Sequence, residues 1–470
     1  MSDLQSASLS RREALGSLTA LAGTAWLGTH VGAADQRAFK LARFSAEVTP
    51  PIGHPLIAGA TVAPVVSRID DPLYARGFVL LGADKPFVVV AVDWCEIRND
   101  AYDRWRDVLA EAAGTERSRV LVSCVHQHDA PLPDLEAERI LRKHGAASKI
   151  FDLDFHEQTV QSVAKALRDG LTQARPVTHL GTGQAQVKEV ASNRRFLKAD
   201  GMPSFNRSSM SGRDDAQREA PEGTIDPWLK TLSFWDGETP LCALSAYAVH
   251  PMSFWGTGWV TSDFPGLARE RRQADDPNIL QIYASGASGN VTAGKYNDGS
   301  HENRPVLVRK IYEAMQAAWK ATKKVPLTQA KFRSAPLRLE SRNDQGFTVE
   351  DLTARLSHPK LQQQSLGALG LSWRKRADAG HALEIPAIDF GSAQLLLLPG
   401  ESYVEFQLFA QAQRPDSFVV TMGYGECSPG FVPIERAWDE HDGNLDEWCW
   451  VGRGSEKVMH TAIQAALKPQ

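Results

Sequence analysis

Five short, almost unbroken apolar runs, each stopping abruptly at a polar side chain, constrain this chain more than any other feature. Residues 88–92 (Val88-Val89-Val90-Ala91-Val92) stop at Asp93, 120–125 at His126-Gln127-His128 and 241–249 at His250. Residues 279–284 lead into Ser285-Gly286-Ala287-Ser288-Gly289-Asn290, and 395–398 into Pro399-Gly400-Glu401. A half-exposed strand alternates apolar with polar residues, so runs without alternation read as strands covered on both faces. Helical periodicity recurs at 99–113, 156–171, 266–273, 306–322, 401–413 and 454–467, with Asn99 or Asp100 as the cap of the first. Further strand patterns fall at 229–235 and 331–339. This rhythm, running from about residue 40 to the end, predicts an α/β fold: mixed central sheets with helices packed on their faces, in one large domain over 35–470. The polar stretch 198–223 reads as a surface excursion or lid, because the rhythm resumes after it.

The totals exclude several partners. With 470 residues, 43% hydrophobic and 23% charged, the chain can bury a sizeable core. A net charge of -4 offers no basic field for nucleic acid or an anionic membrane surface, which leaves a small-molecule substrate or a neutral polymer. Five scattered cysteines with no CxxC pair make neither a disulfide scaffold nor a thiolate zinc site, and allow at most one bridge, Cys427 to Cys449. Ser10-Arg11-Arg12-Glu13 precedes a mildly apolar stretch, 14–28, and the small-residue pattern Val31-Gly32-Ala33-Ala34. Residues 1–34 therefore read as a twin-arginine-type export signal, which places the mature protein in the periplasm or outside the cell. No later segment supplies the ~20 apolar residues of a spanning helix. Oligomeric state is not legible.

The polar residues that end the runs carry the chemistry. In an open α/β sheet, ligands bind beyond the carboxyl ends of the strands, where loops bring several side chains to one spot. His126 and His128, two apart on an extended chain, can face one centre. Histidines with one carboxylate suit zinc, which takes N and O ligands and in catalytic sites keeps a position open for water. Hydrolysis is the natural chemistry of such a site. Each residue also has a plainer reading: Glu401 can favour the N-terminus of a following helix, Asp93 can orient a histidine through its other ring nitrogen, and Asn290 can be a turn residue.

The order of these motifs resembles the neutral (alkaline, non-lysosomal) ceramidase family. The resemblance rests on Ala46-Glu47-Val48-Thr49-Pro50-Pro51-Ile52-Gly53, Asp71-Pro72-Leu73-Tyr74-Ala75-Arg76, Asp93-Trp94-Cys95 and His126-Gln127-His128-Asp129-Ala130-Pro131, the last corresponding to HTHSGP. It continues through Ser192-Asn193-Arg194, Ala248-Val249-His250-Pro251, Ser262-Asp263, Ser288-Gly289-Asn290-Val291-Thr292 and Pro399-Gly400-Glu401, and covers roughly residues 40–450. It implies a zinc ion held by His126, His250 and Glu401, with His128 facing the substrate or stabilising the oxyanion. It further implies catalytic roles for Thr292, at a family serine position, and Asp263, and substrate binding by Arg194, Asn290 and Gly59. The implied reaction is attack of zinc-activated water on an N-acyl amide, releasing a fatty acid and an amine, within sphingolipid metabolism.

The chain departs from the family pattern at chosen places. The family's fourth zinc ligand, a tyrosine in GYV, is Phe431 in Gly430-Phe431-Val432, which leaves Glu426, Tyr424 or an extra water for that role. Asn290 replaces an aspartate and Asp129-Ala130-Pro131 replaces SGP, and the reading expects no C-terminal immunoglobulin-like domain of the kind typical of the family. Phe254, Trp255, Trp259, Trp438, Trp448 and Trp450 can wall an acyl tunnel, stack on a sugar or simply pack. The acidic run 435–447 reads as a solvated loop, with Glu435, Glu440 and His441 as minor site candidates. Three readings result: a ceramidase-like amidohydrolase, a same-fold metal hydrolase acting on another acylated or carbohydrate substrate, and a non-catalytic binding protein.

Overall fold

Each unbroken apolar run divides its side chains between two cores. In the strand Phe87–Val92, Val88, Val90 and Val92 enter one buried cluster while Val89, Ala91 and Phe87 enter the other. Alternate residues of a strand point to opposite faces, so a strand between two cores has no polar positions to spare. The structure is a computed structural model that describes residues 39–58, 60–146 and 149–468. The export-signal segment 1–34 and Gly59 lie outside the described residues. From Ala38 onward the chain forms one compact unit, a mixed α/β fold.

Three larger sheets make the frame, and each contains one parallel pair. In the first, Val120–Cys124 runs parallel to Phe87–Val92, and the sheet continues antiparallel through Tyr74–Leu81 and Lys40–Glu47. In the second, Leu280–Ser285 runs parallel to Thr239–Tyr247, followed antiparallel by Trp228–Asp236, His179–Gln186 and Lys323–Pro326. In the third, Ala393–Leu397 runs parallel to Phe418–Met422 beside the antiparallel strands Leu383–Asp389 and Lys331–Leu337. Helices Asn99–Ala113 and Leu153–Leu171 cover the first sheet, Asp263–Asp275 and Asn303–Lys320 the second, and Ser455–Leu467 the third.

The carboxyl ends of the three parallel pairs meet and are stitched together. Ser123 Oγ donates to the Gly423 carbonyl at 2.8 Å, Ser285 Oγ to the Val125 carbonyl at 2.7 Å, and the Gly423 amide to the Ser285 carbonyl at 2.7 Å. These bonds link the sheets cyclically. Residue 423 must be glycine, because a Cβ there would lie 2.6 Å from the Gly286 carbonyl oxygen.

Some local expectations are corrected. The helix predicted over 401–413 begins at Val404, because Glu401–Ser402 forms a two-residue parallel bridge with Phe431–Val432. Asn99 does not cap the helix it opens: its side-chain amide is taken by Asp134 and Ser372, and its backbone sits at φ 51°. Cys427 and Cys449 are not bridged; their thiols contact the carbonyls of Gly425 and of Phe431 and Val451. The 198–223 excursion is pinned by the buried Arg207, whose guanidinium donates to the carbonyls of Asn193, Gln217, Ala220 and Pro221.

Asp93 meets Arg269 in a two-pronged ion pair, 2.7 and 2.8 Å, with both side chains wholly buried. Removing one partner strands the other charge in the core. Arg269→Ala is expected to lower the unfolding free energy by about 3–5 kcal/mol, measured by denaturant titration.

Candidate metal centre

Each parallel pair delivers one ligand-capable side chain from the end of one strand and a supporting group from the other. Val120–Cys124 leads to His126 and Phe87–Val92 to the Cys95 carbonyl, which lies 2.8 Å from His126 Nδ1. Thr239–Tyr247 leads to His250 and Leu280–Ser285 to the Ser288 carbonyl, 2.7 Å from His250 Nδ1. Ala393–Leu397 leads to Glu401 and Phe418–Met422 to Tyr424, whose ring stacks on His126 with centroids 4.1 Å apart. A carbonyl only accepts, so both Nδ1 atoms carry hydrogen. With Nδ1 protonated, each ring in its neutral form presents a bare Nε2 lone pair.

Those lone pairs converge with the Glu401 carboxylate. His126 Nε2 lies 3.2 Å from His250 Nε2, and Glu401 Oε2 lies 3.0 Å from His250 Nε2 and 3.5 Å from His126 Nε2. Donor atoms around a tetrahedral zinc, at bonds of ~2.0–2.1 Å, are about 3.3 Å apart. All three side chains are buried, and the cluster matches a metal-holding group in chemistry and spacing.

The electrostatics are strongly coupled. Burial raises the Glu401 carboxyl most, but the two imidazoles outweigh it and hold the group well below the usual carboxylate range. Burial lowers His126 most, yet the neighbouring Glu401 carboxylate carries it well above the usual imidazole range. Burial dominates at His250, pushed down to about 4, and at His128, held well below its usual range by burial and by His126 and His250.

The way the two histidines of the HxH segment converge differs from the sequence reading. The strand ends at Cys124 and His126 turns into the left-handed region at φ 71°, so the pair does not sit on one extended chain. Asp129 follows at φ 55°. Left-handed non-glycine residues store about 1–3 kcal/mol each and persist where their surroundings over-determine them. Here the Cys95 carbonyl, the Tyr424 ring and the Trp94 carbonyl, 3.0 Å from the His126 amide, do so. The orienting groups are carbonyls, and Asp93 is instead committed to Arg269 and the Tyr74 amide.

His128, Arg194, His250, Glu401 and Phe431 line a cavity of about 490 Å³, together with Ala60, Trp255, Trp448 and the loop residues Gly443, Asn444, Asp446 and Glu447. His128 is 8% exposed and its Nδ1 has no hydrogen-bond partner. Other candidates are placed elsewhere. Thr292 Oγ1 accepts from the Gly294 amide, and Asn290 is held between the Val404 amide and Glu405. The backbones beside them support the site, since the Val291 carbonyl accepts from the His250 amide and the Asn290 carbonyl from the Arg194 amide. Asp263 accepts from the Ser253 amide and hydroxyl and faces Arg304, at the base of the loop that carries Trp255. Asp129, within the histidine segment, accepts from the amide and hydroxyl of Thr257 on that same loop.

Neither sequence alternative supplies a fourth ligand. The Tyr424 hydroxyl bonds Ser288 Oγ and approaches His250 on its Nδ1 side, 3.3 Å away, opposite the converging nitrogens. The Glu426 carboxylate accepts from the amides of Asn99 and Ser428. Glu435 and Glu440 are engaged by Arg453 and Arg195, and the acidic residues that do reach the cavity are Asp446 and Glu447. No sequence signal marked those two out from the rest of their run.

No family model matches the sequence, and no curated protein does. Solved structures do match. A ceramidase complexed with C2 superposes with a TM-score of 0.66 at 19% identity, over 92% of this chain and 75% of that one. The neutral ceramidase from Pseudomonas aeruginosa gives 0.64 at 18%, over 92% and 74%. The chain has the neutral ceramidase fold. Within that fold the mixed sheets and the converging strand ends described above are accounted for, and the identity of the substrate is left to the side chains.

Two outcomes are expected. Phe431→Tyr adds a hydroxyl to a cavity wall in register with Glu401 and should tighten zinc binding about tenfold in a chelator competition; unchanged affinity would mean that position 431 faces away from the ion. Burial pushes the Glu426 carboxyl up to about 7. Its contribution to stability is full below about pH 4.5, where the unfolded chain is also protonated, and is lost as pH rises through 7, by about 3 kcal/mol. Glu426→Gln should flatten that window of the stability–pH curve.

Proposed function

We propose that the chain is an exported, zinc-dependent hydrolase that cleaves an N-acyl amide bond. The observation that carries this reading is the convergence of three lone-pair donors, His126 Nε2, His250 Nε2 and Glu401 Oε2, at separations suited to zinc, with His250 and Glu401 lining a cavity of about 490 Å³. A zinc ion held by these residues would supply a Lewis acid that activates water and polarises a carbonyl. The remaining roles belong to the chain's own residues. The Cys95 and Ser288 carbonyls hold both imidazoles in the tautomer that presents Nε2. His128 lines the same cavity and offers a ring nitrogen to the oxyanion that develops on the amide carbonyl. Arg194 lies on that wall as a cationic donor for the polar part of the substrate. Trp255, packed edge-on to His128 with centroids 5.3 Å apart, limits access of bulk water. In balance, one amide and one water give one carboxylate and one protonated amine. Export rests on the arginine pair and apolar run of the first 34 residues.

A second reading keeps the fold and the metal and moves the substrate to an acylated carbohydrate. The polar side chains of Asn444, Asp446 and Glu447 on the cavity wall favour it over a long acyl lipid.

The experiment is metal analysis of the purified protein followed by a panel of ceramides, N-acyl amino acids, acetylated sugars and simple esters. Near-stoichiometric zinc is expected, with His126→Ala and Glu401→Ala losing the metal and lowering kcat/KM at least about a hundredfold. Absence of bound metal would leave a binding protein. Activity surviving both substitutions would place the site elsewhere, and inert ceramide beside another productive acyl compound would select the second reading.

A further inference from the structure

A second set of donors shares His126. The Cys95 sulfur and one ring nitrogen each of His126 and His128 lie within 4.8 Å of one another, and all three side chains are buried. Backbone bonds bring the thiol there: the Cys95 amide donates to the Pro131 carbonyl at 3.0 Å, and the Cys95 carbonyl takes His126 Nδ1. Cys95 is thus tied on both sides to the segment that carries the two histidines. Beyond the left-handed turn at His126, the His128 ring stands at 88° to the His126 ring, with centroids 5.5 Å apart. His128 is more than nine-tenths buried, and its Nδ1 has no hydrogen-bond partner. An unsatisfied buried polar atom within a cluster of metal-competent side chains is accounted for by an ion bound among them.

We infer that Cys95, His126 and His128 form a second cation position, which takes a soft, thiophilic ion. Around zinc, sulfur at ~2.3 Å and nitrogen at ~2.0–2.1 Å stand about 3.3–3.8 Å apart, so the ion has only to draw the three side chains inward. Binding forms one metal–sulfur and two metal–nitrogen bonds and breaks the Cys95 S–H bond, whose proton goes to solvent; no electron is transferred. The set with Glu401 offers nitrogen and oxygen, and this one nitrogen and sulfur, so the softness of the cation decides between them. With its Nδ1 hydrogen held by the Cys95 carbonyl, His126 has one lone pair and serves one ion at a time. The two positions therefore compete instead of forming a two-metal pair. An ion on the sulfur side also withdraws His128 from the cavity it lines. Nothing in this inference depends on amide hydrolysis.

The test titrates the metal-free full chain with Cd²⁺ and follows the ultraviolet thiolate-to-cadmium charge-transfer band, which nitrogen and carboxylate ligands do not give. The band is expected to saturate near one equivalent, with release of a proton. It should disappear in Cys95→Ser and persist in Glu401→Gln and in Cys427→Ser, a control for another buried thiol. His128→Gln, which alters a residue at the cavity and leaves the thiol in place, should weaken cadmium binding at least about tenfold, the loss that even an outer partner of a metal site can cause. Absence of the band in the unsubstituted chain, or a band that survives Cys95→Ser, overturns the inference. If the band behaves as expected and no amide is hydrolysed by the zinc-loaded chain, the sulfur position stands and the proposed hydrolase falls. If hydrolysis is observed without the band, the reverse holds.

Discussion

Everything at the candidate site depends on the cyclic stitch that joins three sheets at the ends of their parallel strand pairs. Ser123, Ser285 and Gly423 make side-chain and backbone bonds in the core, where a lost bond leaves an unpaired polar group and is costly. Because the three pairs are locked to one another, the residues just beyond them are locked too. His126, His250 and Glu401 are separated by more than a hundred residues each in sequence, yet they share one point as a consequence of sheet geometry rather than of any local motif.

Preorganisation then extends outward. Carbonyls fix the imidazole tautomers, left-handed backbone at His126 and Asp129 aims the segment, and Asp129 ties that segment to the loop bearing Trp255 through Thr257. The wall that closes the cavity and the residues that would hold an ion thus belong to one connected hydrogen-bonded unit. Strain at His126 is sustained because several independent contacts agree on its position.

The strands and helices were largely legible because apolar runs with both faces buried admit few alternatives, and the runs at 88–92, 120–125 and 241–249 appear within a residue or two of the expected bounds. The grouping of His126, His250 and Glu401 was legible from strand ends together with motif order. What escaped was tertiary. The stacking of Tyr424 on His126, the commitment of Asp93 to Arg269, the scaffolding use of Asn290, Thr292 and Asp263, and the reach of Asp446 into the cavity each depend on a partner far away in sequence. His126 and His128 do come together, but not along an extended chain, because the strand ends two residues before its motif begins.

The bridge between Glu401 and Phe431 bears on the order in which a ribosome delivers the parts. The Glu401 amide bonds the Gly430 carbonyl and the Tyr403 amide the Val432 carbonyl, while the Phe431 amide is held by the Trp448 carbonyl and Gly430 pairs with Cys449. The two histidines emerge during the first half or so of synthesis, but the carboxylate has no fixed place until some fifty further residues beyond it have been made. The candidate three-residue cluster is therefore complete only once the C-terminal segment is in place, so its geometry is tied to residues made last.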